Sequence, residues 1–292
     1  MKEDIPHIDF KAPINQDFGF EVMTISQISD SKKEHLHNPE QPHKLGFYIL
    51  IFFTEGEGEH FIDFNWYPVQ QNSLVYLTKD QINAFKFSDS LKGLCIIFNE
   101  DYFVQSFSHL PKDFIFRLFN PQLFSPVLQI SEESDFKNYL LLLKKEYDKI
   151  NVINKKTITE SLLVILLSKA ESHSQAQSFY SLDSPKISIF QKFNNLLAEK
   201  FTESRSAVFY SDELSISYKH LNTICKSLIH KTAKNVIDDF IILQAKRSLI
   251  NSPIKSTELA YSLGFEDPTN FTKYFKNHTG LTPNSFKNSY SK

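Results

Sequence analysis

Residues 256–287 read STELAYSLGFEDPTNFTKYFKNHTGLTPNSFK. Ser256 is suited to cap a short helix, and Gly264 follows where a sharp turn requires positive φ. A second helix is predicted to start at Asp267-Pro268, an acidic cap followed by proline at the first helical position, and to end at Gly280. The stretch therefore predicts two short helices joined by a tight corner.

The second of these helices has one apolar and one polar face. Phe271, Tyr274 and Phe275 recur at helical spacing, whereas polar and basic residues such as Lys273 and Lys276 alternate with them on the outside. Two short helices with such a second member indicate a helix-turn-helix, whose second helix enters the DNA major groove. An ordinary helical hairpin is the alternative.

Several short motifs resemble the signature of AraC/XylS-type transcriptional regulators. These are A-x-x-x-G-F at 260–265, NFTKYFK at 270–276, TGLTP at 279–283, and SDELSISYKHL at 211–221, which is similar to that family's first helix-turn-helix. The resemblance covers about the last hundred residues. It implies an all-α domain with two helix-turn-helix motifs that binds double-stranded DNA.

The charge of the chain is unevenly distributed. The 292 residues have a net charge of −2, but residues 186–292 hold 15 Lys and Arg against 9 Asp and Glu, and the remainder holds 17 against 25. A basic C-terminal third at +6 and an acidic body at −8 suit a DNA-binding module attached to a domain with another role.

The sequence also predicts where the protein works. Cys95 and Cys225 lie in separate apolar segments, which favours two buried thiols in a reducing compartment over a disulfide or a metal site. The first ten residues lack the apolar core of a signal peptide, and no run approaches the ~20 apolar residues that span a bilayer. We expect a cytoplasmic protein without a membrane partner.

The N-terminal part is predicted to be an antiparallel β structure. Residues 47–87 contain short strand-like runs, with turn signals at Gly56, Gly58, Pro68 and Asn72-Ser73, and residues 94–98 supply another strand. The segment resembles the cupin-type jelly roll that many AraC-type regulators place before their DNA-binding domain. The fold class expected is α+β, with a cupin-like barrel and two flanking helices before the all-α domain.

Cupins include metal enzymes, so the histidines bear on function. His35, His37, Glu40 and His43 resemble a first cupin metal motif, because imidazole and carboxylate ligands suit a divalent metal. In the strand register, however, His43 takes the place of the family's first histidine, and Leu45 and Asn83 stand where two further ligands are expected. No metal and no cofactor is predicted.

The barrel is predicted instead to hold a small molecule. Small barrels enclose one ligand between apolar and aromatic walls with a few polar groups. The candidate ligand-binding residues are Phe47, Phe52, Trp66, Tyr76 and Asn83, with plain core packing as the alternative for each.

Two amphipathic helices are predicted after the barrel, one opening at residues 131–133 and one over residues 157–170. The resemblance implies that such helices pair two chains, and simple cover for the barrel is equally consistent with them. The serine-rich stretch after them reads as a linker. The predicted domains are 1–172 for ligand sensing and dimerisation, 173–186 for the linker, and 187–292 for DNA binding.

Two recognition helices are predicted to be joined by a long helix over about residues 234–250. At ~1.5 Å per residue such a helix spans ~25 Å, near the ~34 Å between successive major-groove faces. The family's base-contacting positions correspond to Lys219, Asn222 and Thr223, and to Pro268, Thr269, Thr272 and Lys273; Pro268 departs from the polar residues common there. Lys226 and Lys276 are expected to contact phosphates.

The sequence thus predicts a non-enzymatic, sequence-specific transcription regulator. The expected partners are double-stranded DNA, RNA polymerase, a small-molecule effector and a second copy of the chain, and activation is the expected sign. The alternatives are a cupin metalloenzyme fused to a DNA-binding domain, and a ligand-independent dimeric DNA-binding protein.

Overall fold

The structure is a computed structural model. It describes residues 6–8, 19–30, 40–86, 88, 90–99, 101–102, 110, 114–150, 153–177, 185–251 and 254–290. The chain divides into two compact units between Tyr180 and Ser181. The predicted domain limits of 1–172, 173–186 and 187–292 stay predictions.

The first unit contains two five-stranded sheets, ordered β1-β3-β8-β5-β6 and β10-β7-β4-β9-β2. Every pairing is antiparallel except that of β1 with β3, which is parallel. The predicted α+β class with an N-terminal β barrel is therefore confirmed. The strands are β1 (His7–Ile8), β2 (Phe20–Thr24), β3 (His43–Leu45), β4 (Tyr48–Glu55), β5 (Glu57–Ile62), β6 (Asn65–Gln70), β7 (Ser73–Leu77), β8 (Ile82–Phe85), β9 (Lys92–Phe98) and β10 (Val127–Gln129).

Side-chain alternation along the strands separates two cores. On β4, Ile49, Ile51 and Phe53 belong to the apolar cluster shared by both sheets, whereas Leu50 and Phe52 belong to a cluster shared with helices. This follows from the strand period of two, which sends successive side chains to opposite faces. The barrel interior and the outer face of the second sheet are therefore separate environments.

Helices cover the outer face of the second sheet. They are α2 (Phe114–Phe119), α3 (Phe136–Asp148) and α4 (Lys155–Gln177), whereas α1 (Ile25–Asp30) packs against the interior cluster through Ile25 and Ile28. The buried side chains of α3 are Phe136, Leu140, Leu143 and Tyr147, which recur at the spacing of an amphipathic helix. A buried ion pair joins α2 to α4, because Arg117 Nε donates to Glu171 Oε1 at 2.5 Å. Helix α4 extends five residues into the predicted linker.

Among the described residues of the second unit, all regular elements are helices. Its helices are α5 (Pro185–Lys200), α6 (Ala207–Glu213), α7 (Tyr218–Ile229), α8 (Ala233–Asn251), α9 (Ser256–Ser262), α10 (Pro268–Thr279) and α11 (Pro283–Ser289). Helix α6 starts at Ala207, four residues before the SDELSISYKHL motif of residues 211–221. Ser211 therefore lies inside this helix. Its Oγ donates to Val208 O at 2.8 Å, so the hydroxyl has a partner within the helix.

Ser256 does not act as the predicted cap. The N-cap of α9 is Lys255, whose backbone N–H donates to Glu258 Oε2 at 3.3 Å. The Ser256 hydroxyl instead donates to Asn284 Oδ1 at 2.6 Å, which attaches α9 to the start of α11. In the described part of the chain, no helix is long and apolar enough to cross a membrane.

Candidate DNA-binding surface and ligand site

The two helix-turn-helix motifs have the same corner geometry. In the first, Ser215 has φ 55° and the Ile216 N–H donates to Ser211 O at 3.0 Å. In the second, Gly264 has φ 76° and the Phe265 N–H donates to Ala260 O at 2.9 Å. Both left-handed residues reverse the chain at the same point, so α6–α7 and α9–α10 are copies of one turn.

Side-chain caps start both second helices. Ser217 Oγ accepts from the His220 N–H at 3.2 Å at the start of α7, and Asp267 Oδ1 accepts from the Thr269 N–H at 2.7 Å at the start of α10. Pro268 occupies the first position of α10. Its lack of an N–H costs nothing there, because the N–H of a first helical residue has no partner within the helix. These caps fix where each helix begins and hence which side chains its first turn presents.

The connecting helix α8 contacts both second helices through polar side chains. Asn222 on α7 accepts at Oδ1 from the Ala233 N–H, the first residue of α8, at 3.0 Å. Tyr274 on α10 donates from its hydroxyl to Asp238 Oδ1 on α8 at 2.7 Å, and Lys234 also donates to this oxygen. Burial, followed by the hydrogen bond to Asp238, raises the pKa of Tyr274, so its hydroxyl remains a donor. Helix α8 therefore holds α7 and α10 in one unit.

Arg205 adds a contact between the two motifs. It lies in the loop before α6, and its Nη1 donates to Gly264 O at 2.9 Å while its guanidinium lies 4.0 Å from the centre of the Phe265 ring. A Cβ at Gly264 would lie 1.8 Å from Thr202 O in the same loop. Sequence reasoning missed Arg205, because nothing local marks a loop arginine that contacts a turn 59 residues later.

The predicted DNA-contacting residues differ in exposure. Thr223 and Thr272 donate their hydroxyls to the carbonyls of Lys219 and Pro268, at 2.8 Å and 3.0 Å, so each presents its methyl group and remaining lone pairs outward. Asn222 is partly buried with its oxygen engaged by α8, a contact that its position in the motif does not reveal. The exposed members are Lys219, Thr223, Lys226, Thr269, Lys273 and Lys276, and the partly buried ones are Asn222, Pro268 and Thr272.

The predicted ligand residues do not come together. Phe52 and Tyr76 belong to the core between the second sheet and the helices, and Trp66 is 45% exposed, with Lys86 Nζ 3.9 Å from its ring centre. The strand period sends them away from the barrel interior. Phe47 and Asn83 are buried, and Phe47 belongs to the cluster between the two sheets. Phe52, Trp66 and Tyr76 therefore lie outside the barrel interior, and ligand binding by the five residues stays a prediction.

A chain of three polar side chains lies in the barrel instead. His43 Nδ1 is 3.0 Å from Gln41 O, Asn83 Nδ2 is 3.0 Å from His43 Nε2, and His60 Nε2 is 3.4 Å from Asn83 Oδ1. The His60 ring centre is 5.2 Å from that of Phe85, a member of the interior cluster. His60 is 1% exposed, and burial is the main reason that its pKa is lowered to about 4.

Separately, Tyr76 lines a small cleft beside α2, together with Leu118 and Phe119. The cleft has a volume of about 10 Å³, which is no more than a single water molecule needs and far below that of a ligand pocket.

Comparisons with known proteins agree with both halves of this architecture. The family model described as an AraC-like ligand binding domain matches residues 28–142, and that described as a helix-turn-helix domain matches residues 210–289. The chain belongs to the AraC-type transcriptional regulators. The AraC resemblance drawn from residues 211–221 and 260–283 is thereby confirmed.

Individual relatives of this AraC-type chain are distant. It is 35% identical over 78 residues to an uncharacterized HTH-type transcriptional regulator in the cgkA 5′ region of Pseudoalteromonas carrageenovora; the match covers 27% of this chain and 46% of the relative. It is 20% identical over 268 residues to the HTH-type transcriptional activator RhaR of Mannheimia succiniciproducens, covering 89% and 92%. The crystal structure of unsaturated fatty acid bound wild-type ToxT from Vibrio cholerae is 16% identical, with a TM-score of 0.46 and coverage of 98% and 97%.

The barrel interior of this AraC-type chain holds two imidazoles, those of His43 and His60. Within the described ranges, no three His, Cys, Asp or Glu side chains lie close enough to hold a metal ion. His35 and His37 lie outside the described residues. His60 was missed as a member of the polar chain, although its place on the interior face of β5, two residues before buried Ile62, was a readable signal.

Proposed function

We propose that this AraC-type regulator reads DNA with α7 and α10 in successive major grooves on one side of the duplex. The observation that carries the proposal is the attachment of both helices to α8, through Asn222 and Tyr274, with their polar faces left exposed. Helix α8 has 19 residues and therefore spans roughly 28 Å at ~1.5 Å per residue. That length is comparable with the ~34 Å between successive groove faces.

Chemistry divides the exposed side chains into two classes. Lys219 and Lys273 suit guanine O6 and N7, and Thr223 and Thr269 suit base edges or a thymine methyl. Lys226 and Lys276, a further two turns and one turn along their helices, suit phosphates. For Asn222 we propose a positioning role, since its oxygen already accepts from Ala233.

The same proposal covers the N-terminal unit. A small effector in the barrel is proposed to change DNA occupancy or contact with RNA polymerase by favouring one of two arrangements of the protein. Activation is the proposed sign, which is also how the RhaR relative is named. We propose that the protein is not an enzyme. We also propose that it works in the cytoplasm, where it reaches its DNA.

A homodimer is proposed through the helical layer of the first unit. Leu141 and Leu142 on α3 are 48% and 41% exposed, and Ile158 and Ile165 on α4 are each 38% exposed. Several exposed apolar side chains on two packed helices favour a protein partner. A Leu142→Lys variant is expected to be monomeric by light scattering, and Leu142→Met is expected to remain dimeric.

The decisive experiment is genome-wide DNA occupancy of the intact protein, followed by footprinting of the purified protein on the strongest site. The expected footprint covers two adjacent major-groove turns per chain. A footprint of a single major-groove turn would mean that only one of the two helices, α7 or α10, reads DNA. The absence of any enriched site, with weak salt-sensitive binding alone, would count against sequence-specific reading.

A further inference from the structure

One backbone carbonyl fixes the direction of the polar chain in the barrel. Gln41 O can only accept, so His43 Nδ1, 3.0 Å away, carries the proton. His43 is buried, and in its neutral ring the other nitrogen, Nε2, is an acceptor. Asn83 therefore points its Nδ2 at this nitrogen, at 3.0 Å, and its Oδ1 at His60.

The same logic determines the tautomer of His60. Asn83 Oδ1 accepts, so the proton of the neutral His60 ring lies on Nε2, and Nδ1 is left as an acceptor. Nδ1 is completely enclosed and has no hydrogen-bond partner among the described residues. A buried acceptor without a donor is unfavourable, and native proteins supply the missing donor as ligand or water.

We propose that His60 Nδ1 accepts a hydrogen bond from the hydroxyl group of a small neutral ligand inside the barrel. A lone pair in an apolar enclosure matches an O–H donor, whereas a carboxylate offers only further lone pairs and resists desolvation. The ring of Phe85, 5.2 Å from that of His60, supplies an apolar wall beside the acceptor. This inference rests on the proposed function, because it names the chemistry of the effector and the atom that holds it.

The test uses the full-length protein and matched pairs of probes. The probes are neutral alcohols, polyols and monosaccharides, each compared with its methyl ether, which has the same skeleton without the donor. The measurements are the ¹⁵N signal of His60 Nδ1 and the thermal midpoint of the first unit. We expect a hydroxyl compound to shift the ¹⁵N signal of His60 Nδ1 and to raise the thermal midpoint as its concentration increases. The matching methyl ether should change neither quantity.

Two variants locate the response. His60→Phe is expected to abolish it. His173→Phe is the matched control, because His173 Nε2 lies 2.9 Å from the Ser134 hydroxyl rather than in the polar chain, and this variant is expected to respond normally. If His60→Phe fails to fold, the comparison of alcohol with ether on the unmodified protein decides the question.

Three results would overturn the assignment. An Nδ1 signal that is already hydrogen-bonded without ligand, and that no probe moves, would mean that a buried water holds this atom. No response across the panel would count equally against it. An effector that still changes DNA occupancy of His60→Phe would leave the proposed function intact and place the ligand elsewhere, whereas loss of specific DNA sites in the unmodified protein would remove the proposed function itself.

Discussion

Tyr274 donates a hydrogen bond from its hydroxyl to Asp238 Oδ1 at 2.7 Å, which joins the recognition helix α10 to the connecting helix α8. Lys234 donates to the same oxygen, and His278 Nε2 lies 3.8 Å from the other. Asp238 is therefore the point where three side chains from two helices converge. The orientation of α10 depends on this point, because its buried residues Phe271 and Phe275 lie on one face only.

Removing the Tyr274 hydroxyl should weaken DNA reading more than it weakens the fold. A hydrogen bond to a charged group is worth about 1.5–3 kcal/mol, so Tyr274→Phe is expected to lower the free energy of unfolding by about that amount. We expect a larger loss of affinity for the specific site than for random DNA, measured by titration of both. Tyr261→Phe, at a position 60% exposed on α9, is the control and should change neither.

Lys273 and Lys276 should respond differently to substitution. Lys273→Ala is expected to cost about 1–3 kcal/mol of specific affinity and to relax preference at one base pair. Lys276→Ala should weaken binding to all sequences and reduce the salt dependence by about one counterion. Affinities at several salt concentrations on the native and mismatched sites separate the two. Equal behaviour of the two variants would contradict the assigned roles.

Asn222 provides a test of positioning against base contact. Asn222→Ala should cost about 0.5–2 kcal/mol of stability, because the first N–H of α8 loses its acceptor. Asn222→Asp keeps that acceptor and should restore stability and DNA affinity together. If instead Asn222→Asp is stable but loses preference at one base pair, Asn222 contacts a base after all.

The residues at the two helix-turn-helix corners, Ser215 and Gly264, should differ in how well they tolerate substitution. Gly264→Ala adds strain of about 1–3 kcal/mol at positive φ and also places its Cβ against Thr202 O, so we expect severe loss of thermal stability. Ser215→Gly relieves the same strain in the first motif while adding backbone freedom to the unfolded chain, so its unfolding free energy should stay within about 1 kcal/mol of the unmodified protein. Thermal unfolding of both variants checks this.

Stability should depend on pH through His60. Its pKa is about 4 in the folded protein against an ordinary value of 6.5, so the unfolded chain binds more protons between these values. The stabilising contribution of the neutral ring is fully present above about pH 6.5 and is lost as the pH falls toward about 4. The difference between the unmodified protein and His60→Phe, measured by denaturant unfolding from pH 7 to 4, reports the contribution of His60. Parallel pH profiles would contradict it.

Local signals predicted the second helix-turn-helix closely. Asp267, Pro268 and Gly280 act through neighbouring backbone, so the limits of α10 followed from sequence alone. The buried face of α7 consists of Leu221, Ile224, Cys225 and Leu228, whose helical spacing is likewise a local signal. Ser256 misled the prediction, because its hydroxyl has a partner 28 residues away that no local pattern shows.

The faces on which the candidate ligand residues lie could not be predicted from the sequence. Aromatic content marks a residue as buried or half-buried but does not say on which side of a strand it lies, and Phe52 and Tyr76 lie in the core between the second sheet and the helices. If a strand shifts by one residue in register, the side chains that faced the barrel interior face the helices instead. Only the observed pairing of β4 with β7 and β9 resolves that choice.

The sequence by itself determined the family, the α+β class and the second helix-turn-helix with its caps, because those depend on residues a few positions apart. Tertiary structure alone decided that Asn222 caps α8, that Tyr274 and Arg205 fix the second motif, and that His43, Asn83 and His60 form one polar chain. Each of these contacts joins atoms between 11 and 59 residues apart, and only the packing of whole helices and strands brings such atoms within hydrogen-bonding distance.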